Sequence, residues 1–487
     1  MAPPTQRTVA VLGGGIAGLA AAWELSTAGT PARVIVFEGD GRLGGKLRTE
    51  AFGGRDVDLG PDAFVARRPE ALALCSELGL TPALVTPGVR RAYVWARGRL
   101  RPLPAGLALG VPTRFGPLAR SGICSPAGLV RPALDLLRPA LGSASGSGSD
   151  GAVGEIVRRR LGREVATRLA GPLIGGIHAG TVDTTSAAAV FPALLDADRR
   201  PGSLMRALRP PMPHPPTVAP SAGEAPVFLS LRGGIGRLAD ELARALERRG
   251  TELRRGAEVR GLGRATGGDG RTWAIRTAGD VVDVDGVVVA LPAPAAAGLL
   301  RPHDAALADA LDEVTYASVA LITMRFSDDT ISRPLDGSGF LVPRGEGDEP
   351  DPLITACTWL TSKWPELERH GDVLLRVSVG RHGDDRFESL DDDELVARSV
   401  NELTMMMGVR GSPLEAVVTR WPQAFPQYAV GHLSRVAAIE AAACRLPPVA
   451  LAGAVLHGVG IPACIGSGRR AGRAVLAGMT AESGVTP

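Results

Sequence analysis

Three glycines near the start of the chain have the spacing of a dinucleotide-binding turn, Gly-x-Gly-x-x-Gly over residues 13–18. In such a turn the first glycine permits a tight bend, the second lets the main chain approach a pyrophosphate, and the third lets a helix pack on a strand. The free N–H groups and partial positive charge at the helix start then face the phosphates. Glu38 follows Gly18 by twenty residues, where a carboxylate can accept hydrogen bonds from a ribose.

The elements around this turn are those that a nucleotide site requires. Residues 8–12 form a short apolar run that predicts a strand, residues 17–28 have a helical pattern, and residues 33–38 predict a second strand. Strand, tight turn, helix and strand together make a βαβ unit. The sequence therefore predicts that Glu38 lies at a strand end beside the glycine turn.

The first motif alone does not distinguish NAD from FAD. A second glycine pair, Gly44-Gly45, is the feature that favours one of these cofactors over the other. Cationic residues flank this pair, and the segment can bring a further turn against the same pyrophosphate. Residues 42–49 resemble the extended signature of the amine oxidase-like FAD superfamily. Residues 58–62 resemble the strand-to-loop segment that lies beside the flavin in that superfamily. The resemblance implies FAD as the cofactor.

The resemblance continues far downstream, at residues 232–235 and 452–462, so segments from both ends of the chain would build one site. It implies that Val259 and its neighbour Glu258 contact the adenine through main-chain groups, and that the C-terminal segment lies by the isoalloxazine. The residues that the resemblance assigns to FAD are Gly13, Gly15, Ile16, Ala17, Gly18, Glu38, Gly39, Arg42, Gly44, Gly45, Lys46, Gly60, Pro61, Asp62, Val259, Trp421, Gly453, Val459, Gly460 and Ile461.

Composition sets bounds on the class of protein. The chain has 487 residues, of which 45% are hydrophobic and 22% charged, as in globular proteins of two or three domains. Its net charge is only +3, which gives no indication of nucleic-acid binding. The five cysteines are scattered without a CxxC pair, so we expect no metal site, no disulfide framework and a reducing, cytoplasmic location. The N-terminal residues show no signal-peptide pattern.

The predicted fold class is α/β, with a Rossmann-like, two-dinucleotide-binding FAD domain built from residues 1–85, 226–298 and 441–487. Residues 86–105 and 299–440 are expected to form an α+β substrate domain, and residues 106–225 a helical subdomain facing the substrate or a membrane. Serine- and proline-rich linkers are predicted at 143–149 and 209–226. Strands are predicted at 257–261 and 281–291. The uncharged stretch 446–468 predicts a buried strand and a loop rather than a membrane span.

Within the superfamily, the chain resembles the porphyrinogen oxidases of Gram-positive bacteria, FAD enzymes that make coproporphyrin or protoporphyrin for haem. The resemblance covers essentially the whole chain. The segments that carry it are residues 59–64, 100–104, 110–113, 420–421, 426–432 and 458–468.

This resemblance implies three rounds in which the flavin takes hydride from a porphyrinogen carbon, a nitrogen proton is lost and dioxygen reoxidises the flavin to give H2O2. Coproporphyrinogen III is the preferred substrate, and protoporphyrinogen IX is the alternative. The product would pass to a ferrochelatase-type partner. No dedicated acid or base stands out, and His178 and His432 are better interpreted as structural residues. The protein would then supply mainly orientation and exclusion of water.

A wide aliphatic pocket with arginines at its mouth would suit a macrocycle with propionates on its rim. Residues 90–138 are rich in arginine, and Arg91 falls where the family has a propionate-binding arginine. The same basic segment could instead rest on anionic lipid at the inner face of the cell membrane.

Three other functions remain open from the sequence. An amine oxidase on the same fold usually needs aromatic walls, and this chain has only three tyrosines. A carotenoid desaturase-like enzyme would also take an apolar substrate, but the arginine-rich segment favours an anionic one. A flavin-binding carrier without redox activity would keep the fold and lose the chemistry.

Overall fold

The computed structural model describes residues 7–29, 32–138, 150–209, 226–265, 273–345, 351–446 and 448–482. The predicted linkers at 143–149 and, apart from its end residues, 209–226 lie outside these ranges. The chain divides into two compact units. Unit 1 comprises residues 1–86, 227–315 and 434–487, and unit 2 comprises residues 87–226 and 316–433. Helix His432–Ala443 begins at the end of unit 2 and continues into unit 1.

Unit 1 is built on a five-stranded parallel sheet. From one edge to the other, the strands are Glu252–Arg254, Ala32–Phe37, Arg7–Leu12, Gly286–Val289 and Val449–Leu451. The central strands are rich in β-branched residues and fully buried at their carboxyl ends, as a sheet covered on both faces requires. Three separate segments of the chain contribute strands, which confirms the predicted discontinuous Rossmann-like architecture.

Two helices of unit 1 pack with almost no space between their backbones. Helix Ile16–Thr27 lies against the C-terminal helix Ile461–Glu482. A Cβ atom added at Gly468 would lie 2.0 Å from the carbonyl oxygen of Ala17, and one at Gly472 would lie 3.0 Å from that of Ala21. Glycine at these positions therefore allows the C-terminal helix to reach the helix that follows the glycine turn.

The other strands of unit 1 are Thr49–Phe52, Arg55–Asp58, Phe64–Val65, Leu84–Val85, Phe228–Leu231, Gly261–Arg264, Trp273–Arg276 and Val281–Val284. Its other helices are Pro69–Glu77, Thr81–Ala83, Gly236–Arg248, Ala293–Leu300, Ala305–Asp312 and Ala454–His457.

Unit 2 contains a seven-stranded sheet and a group of helices. The sheet order is Glu415–Pro426, Tyr316–Ser327, Asp372–Val379, Ile354–Trp359, Gly339–Leu341, Tyr93–Ala96 and Arg99–Pro102. All neighbours are antiparallel except the pair formed by residues 339–341 and 93–96. Buried side chains of this sheet and of helix Asp392–Met407 form one apolar core, and residues from 94–124 and 153–205 form a second.

The two-residue strands Leu107–Ala108 and Val111–Pro112 also belong to unit 2. Its helices are Phe115–Ser121, Pro126–Leu136, Val153–Leu161, Arg163–Val165, Ala166–Ala170, Gly171–His178, Ala187–Val190, Pro192–Arg199, Leu204–Ala207, Asp328–Thr330, Leu360–Lys363, Pro365–Leu367, Arg386–Ser389 and Asp392–Met407.

Three local predictions were wrong. Residues 257–260 are not a strand, and strands lie on either side of them at Glu252–Arg254 and Gly261–Arg264. Residues 281–291 form two strands that belong to different sheets. Residues 461–468, expected in a loop, begin the C-terminal helix, which Gly468 allows to pack directly on the backbone of helix Ile16–Thr27.

The predicted three-domain boundaries stay a prediction. The contacts group residues 106–225 with 316–433, and they group residues 299–315 with unit 1. None of the helices in the described ranges has the length and apolar character needed to cross a bilayer.

Candidate cofactor site

The first and third glycines of the turn are required by the protein itself. Gly13 has a φ of +102° and donates its N–H to the Phe37 carbonyl at 2.8 Å, so the chain turns sharply at the strand end. A Cβ at Gly18 would lie 1.9 Å from the Gly13 carbonyl oxygen. Side chains at either position would prevent the helix from starting directly above the strand.

The second glycine differs, because nothing in the protein crowds it. Gly15 has φ −70° and ψ 174°, which any residue adopts, and an added Cβ would find only the Gly45 Cα, at 4.0 Å. The second glycine pair lies against this turn, since the Gly44 N–H donates to the Gly14 carbonyl at 2.8 Å. Gly15 therefore borders open space at the start of helix Ile16–Thr27, whose first turn carries no acidic residue.

Glu38 is held at this turn by its own hydrogen bonds. One carboxylate oxygen accepts the Gly14 N–H at 2.7 Å, and the other accepts the Asp40 N–H at 2.9 Å. Residues 257–260 lie alongside, because the Ala257 N–H donates to the Glu38 carbonyl at 2.7 Å. A Cβ at Gly39 would be 3.7 Å from Glu258. The structure thus brings Gly39 and the segment containing Val259 to the same strand end.

The two cations of the second glycine segment have different surroundings. Arg42 donates to main-chain carbonyls of Leu43, Gly45 and Leu47, so its guanidinium holds the second glycine loop in shape. Burial lowers the pKa of Arg42. Lys46 is partly buried, and burial also lowers its pKa. Within the described ranges no hydrogen bond or ion pair engages the Lys46 ammonium, which leaves it available to an anion.

Two further glycines with space beside them precede the C-terminal helix of unit 1. Gly453 has a φ of +125°, an added Cβ there would meet nothing within 4 Å, and its N–H donates to the Ser467 hydroxyl at 3.1 Å. An added Cβ at Gly460 would contact only Pro462, at 3.8 Å. Helix Ile461–Glu482 begins directly after Gly460 and Val459. Small residues therefore leave main-chain groups exposed where the resemblance puts the isoalloxazine.

Residues 60–62 follow strand Arg55–Asp58 in a loop, and Asp62 is buried. Asp58 accepts the Ile235 N–H at 2.9 Å and a hydrogen bond from the Thr49 hydroxyl. This carboxylate links the segment 58–62 to residues 232–235, which the sequence had singled out separately. Asp58 has a structural role that the motif alone did not reveal.

Arg91 and Trp421 lie in unit 2, apart in the chain from the glycine segments. Trp421 is on strand Glu415–Pro426, opposite Val319. The Arg91 side chain is 59% exposed and its guanidinium donates to Asp336 at 2.7 Å. The Tyr93 hydroxyl donates to the other oxygen of this carboxylate at 2.7 Å, and these bonds lower the pKa of Asp336. Sequence reasoning missed Asp336, because it lies 245 positions away.

The two histidines weighed from the sequence belong to an aromatic group in unit 2. The His432 ring is fully buried and stacks on Tyr428 with centroids 3.9 Å apart. The His178 ring lies 5.8 Å from Tyr428, and its buried Nδ1 has no hydrogen-bond partner in the described part of the chain. Burial lowers the pKa of His178 to about 4, so this ring is neutral at neutral pH.

The residues present in unit 1 fit a dinucleotide. Unit 1 offers a turn with open space at Gly15, a carboxylate at a strand end, a helix start without acids and an ammonium that no described residue engages. These are the donors and acceptors that a pyrophosphate and a ribose require. Residues 16–476 match the protein family described as flavin containing amine oxidoreductase. The chain belongs to this family. Its membership confirms the predicted flavin cofactor.

Relatives of known name extend over nearly the entire chain. A coproporphyrinogen III oxidase of Bacillus subtilis is 33% identical over 96% of this chain and 97% of its own. One of Mycobacterium tuberculosis H37Rv is 36% identical, over 98% and 99%. A protoporphyrinogen oxidase of Macaca fascicularis is 31% identical, over 96% and 98%.

The family resemblance predicted from the motifs is thereby confirmed. Among solved structures, an Exiguobacterium protein provisionally named as a protoporphyrinogen oxidase superposes with a TM-score of 0.85 at 28% identity, over 97% of this chain and 99% of its own.

Proposed function

We propose that this chain is an FAD-dependent, oxygen-using oxidase that converts coproporphyrinogen III to coproporphyrin III with release of H2O2. The observation that carries the proposal is 33–36% identity, over nearly the full length of both chains, to proteins named coproporphyrinogen III oxidase. Oxidation of protoporphyrinogen IX is the second candidate, because the macaque relative of that name is 31% identical.

FAD, when bound, supplies the two-electron redox chemistry of this reaction. Gly13, Gly15 and Gly18 would shape the pyrophosphate turn, and Glu38 would accept hydrogen bonds from the adenosine ribose while retaining its N–H donors. Lys46 would offer its ammonium to an anionic group, and Arg42 would keep the second glycine loop in place. Ile16, Ala17, Gly39, Gly44, Gly45, Val259, Gly453, Val459, Gly460 and Ile461 would contribute main-chain groups around it.

The loop residues Gly60, Pro61 and Asp62, and Trp421 of unit 2, complete the set of residues proposed for the flavin. Arg91 is proposed for a substrate carboxylate. Since Asp336 already neutralises part of the Arg91 charge, a substrate carboxylate would have to share or displace that partner.

The test is porphyrin fluorescence formed in air from coproporphyrinogen III and from protoporphyrinogen IX, at equal enzyme and substrate concentrations. We expect a yellow protein, faster product formation from coproporphyrinogen III and stoichiometric H2O2. A colourless preparation that cannot be loaded with FAD would contradict the proposal. If the yellow protein oxidises only protoporphyrinogen IX, the second candidate function is the correct one.

We also propose that helix Pro126–Leu136 rests on an anionic membrane surface. Its outward side carries Val130, Leu134 and, at its end, Leu137, which are 56, 52 and 78% exposed. The spacing of four and three residues places them on one face of the helix. The exposed residues Arg114 and Arg120 lie on or next to the neighbouring helix Phe115–Ser121. Apolar side chains flanked by arginines suit an interfacial helix on anionic lipid.

Cosedimentation with phosphatidylglycerol vesicles tests this surface. We expect binding that weakens strongly in Leu134→Glu and persists in the control Val281→Glu, which alters a side chain in unit 1 that is 59% exposed. Binding to phosphatidylcholine alone should be much weaker. Equal binding of both variants would refute the membrane contact.

A ferrochelatase-type partner that accepts the product is a further proposal, since a free porphyrin is poorly soluble and reactive. Faster appearance of metalloporphyrin with the two enzymes mixed than with the oxidase product added alone would support it. Identical rates would exclude handover.

A further inference from the structure

Unit 2 contains a cleft lined by three arginines that the proposed mechanism does not use. The cleft is a shallow depression that is open to solvent. Arg158, Arg344 and Arg381 line it, and we call it the arginine cleft. The turn after helix Gly171–His178 and the residues after strand Gly339–Leu341 form its walls.

Arg381 is the unusual member, because a buried guanidinium normally has acceptors for all its donors. Its side chain is only 8% exposed, and its Nε has no hydrogen-bond partner among the residues that the structure describes. The nearest carboxylate, Asp384, is 3.7 Å from this Nε, which is beyond hydrogen-bond length. Arg386 binds the two Asp384 oxygens at 2.7 and 2.8 Å. Arg381 donates a long hydrogen bond of 3.3 Å to the Pro352 carbonyl and shares the Asp384 charge with Arg386, so no carboxylate among the described residues accepts a hydrogen bond from it.

The charge of the cleft favours an anion. Its lining residues carry three arginines and one carboxylate, Asp183, which forms an ion pair with Arg158. Arg344 donates to the His382 carbonyl at 2.9 Å. It forms no ion pair with an acid among the described residues. Burial, followed by the charge of Arg344, lowers the pKa of Arg381. A bound anion would relieve both the desolvation and the repulsion.

The remaining walls indicate what carries the anion. Pro172, Val182, Val342 and Pro343 line the cleft together with five glycines, so the arginines lie among apolar and small groups. Such a site suits a carboxylate on an aliphatic arm, because the guanidinium fork matches a carboxylate while the arm lies on apolar walls.

We propose that the arginine cleft binds a propionate arm of the tetrapyrrole, with Arg381 and Arg344 as the carboxylate ligands. This inference rests on the proposed function. The arginine cleft would be a second anion site besides the one proposed at Arg91. Its residues, which lie outside the basic segment 90–138, would then help the enzyme to distinguish substrates with four carboxylates from those with two.

The experiment measures equilibrium binding of the product coproporphyrin III, and of its tetramethyl ester, to the flavin-loaded protein by fluorescence. We expect Arg381→Gln and Arg344→Gln each to raise the Kd for coproporphyrin III about tenfold, as the loss of one charged hydrogen bond does. The ester should bind the variants and the wild type alike. The matched control is Arg398→Gln, which alters an arginine 55% exposed on helix Asp392–Met407.

Arg344→Gln keeps the test decisive if the buried Arg381 variant does not fold, because Arg344 is exposed. Unchanged coproporphyrin affinity in the Arg344 variant, and in any folded Arg381 variant, would overturn the proposal. Inorganic phosphate that stabilises the wild type without competing with coproporphyrin III would also overturn it, since the cleft would then hold a different oxyanion. Because binding of the product is measured without turnover, failure of the proposed reaction shows separately, as absence of porphyrin formation by the wild type.

Discussion

Replacing Gly15 by valine should abolish FAD retention without unfolding the protein. The backbone at Gly15 suits any residue, and the nearest protein atom to an added Cβ, in Gly45, is 4.0 Å away. A side chain there enters the space beside the start of helix Ile16–Thr27, where a pyrophosphate would accept main-chain N–H bonds. The protein tolerates the substitution, and the ligand does not.

The size of the effect follows from the bonds that are lost. If the side chain displaces a pyrophosphate from two charge-assisted hydrogen bonds worth about 1.5–3 kcal/mol each, FAD binding weakens by about 3–6 kcal/mol. That corresponds to an increase in Kd of roughly 10² to 10⁴. The free energy of unfolding of the apoprotein should change by less than about 1 kcal/mol, because a glycine in unstrained geometry is replaced without a clash.

The assay combines visible flavin absorbance of the purified variant, calorimetric titration of the apoprotein with FAD, and urea unfolding of the apoprotein. Gly29→Val is the matched control. Its added Cβ would meet nothing within 4 Å, and Gly29 lies beyond the end of helix Ile16–Thr27, away from the glycine turn. Gly15→Ala should give an intermediate loss. Stoichiometric flavin of wild-type affinity in the Gly15→Val protein would refute the placement of the pyrophosphate.

Gly468→Ala should lower the free energy of unfolding by about 1–3 kcal/mol, because its Cβ would lie 2.0 Å from the Ala17 carbonyl oxygen; an unchanged urea midpoint would contradict this. Burial lowers the pKa of His178 from 6.5 to about 4 in the folded protein. The unfolded chain therefore binds this proton at a higher pH than the folded protein does, so the free energy of unfolding falls as the pH drops from 6.5 to 4. The loss approaches about 3 kcal/mol, and His178→Gln should show a shallower pH dependence of urea unfolding. Arg91→Ala should raise the KM for coproporphyrinogen III with flavin content unchanged, whereas Asp336→Asn, which frees Arg91, should lower it or leave it as it was; full activity of Arg91→Ala at low substrate would remove Arg91 from the substrate site.

The sequence predicted the elements whose signals are local. The first strand, the glycine turn and the following helix lie within a residue or two of their predicted positions, because apolar periodicity and glycine spacing are properties of short segments. Resemblance located the distant glycine segments as parts of the same site. The strand expected at 257–261 is replaced by strands on its two sides. Glu252–Arg254 pairs with Ala32–Phe37 and Gly261–Arg264 pairs with Trp273–Arg276, and the first of these partners lies far from 257–261 in the chain.

Contacts between residues far apart in the chain lay beyond local reasoning. Nothing near Arg91 in sequence indicates Asp336, which lies 245 positions away. The basic segment 90–138 was the natural choice for an anionic rim, whereas the arginine cleft draws its cations from positions 158, 344 and 381.

By itself, the sequence indicated a dinucleotide site, since glycine spacing and a carboxylate at a strand end restrict what the backbone can hold. FAD rather than NAD followed from the resemblance of the second glycine pair and of the downstream segments. Tertiary structure decided which of these residues serve the fold and which face free space. Gly18 and Gly468 are glycines because a neighbouring carbonyl leaves no room, while Gly15 is a glycine beside a space that the protein does not fill. Steric exclusion of this kind depends on atoms from distant segments, so it appears only when the chain has folded.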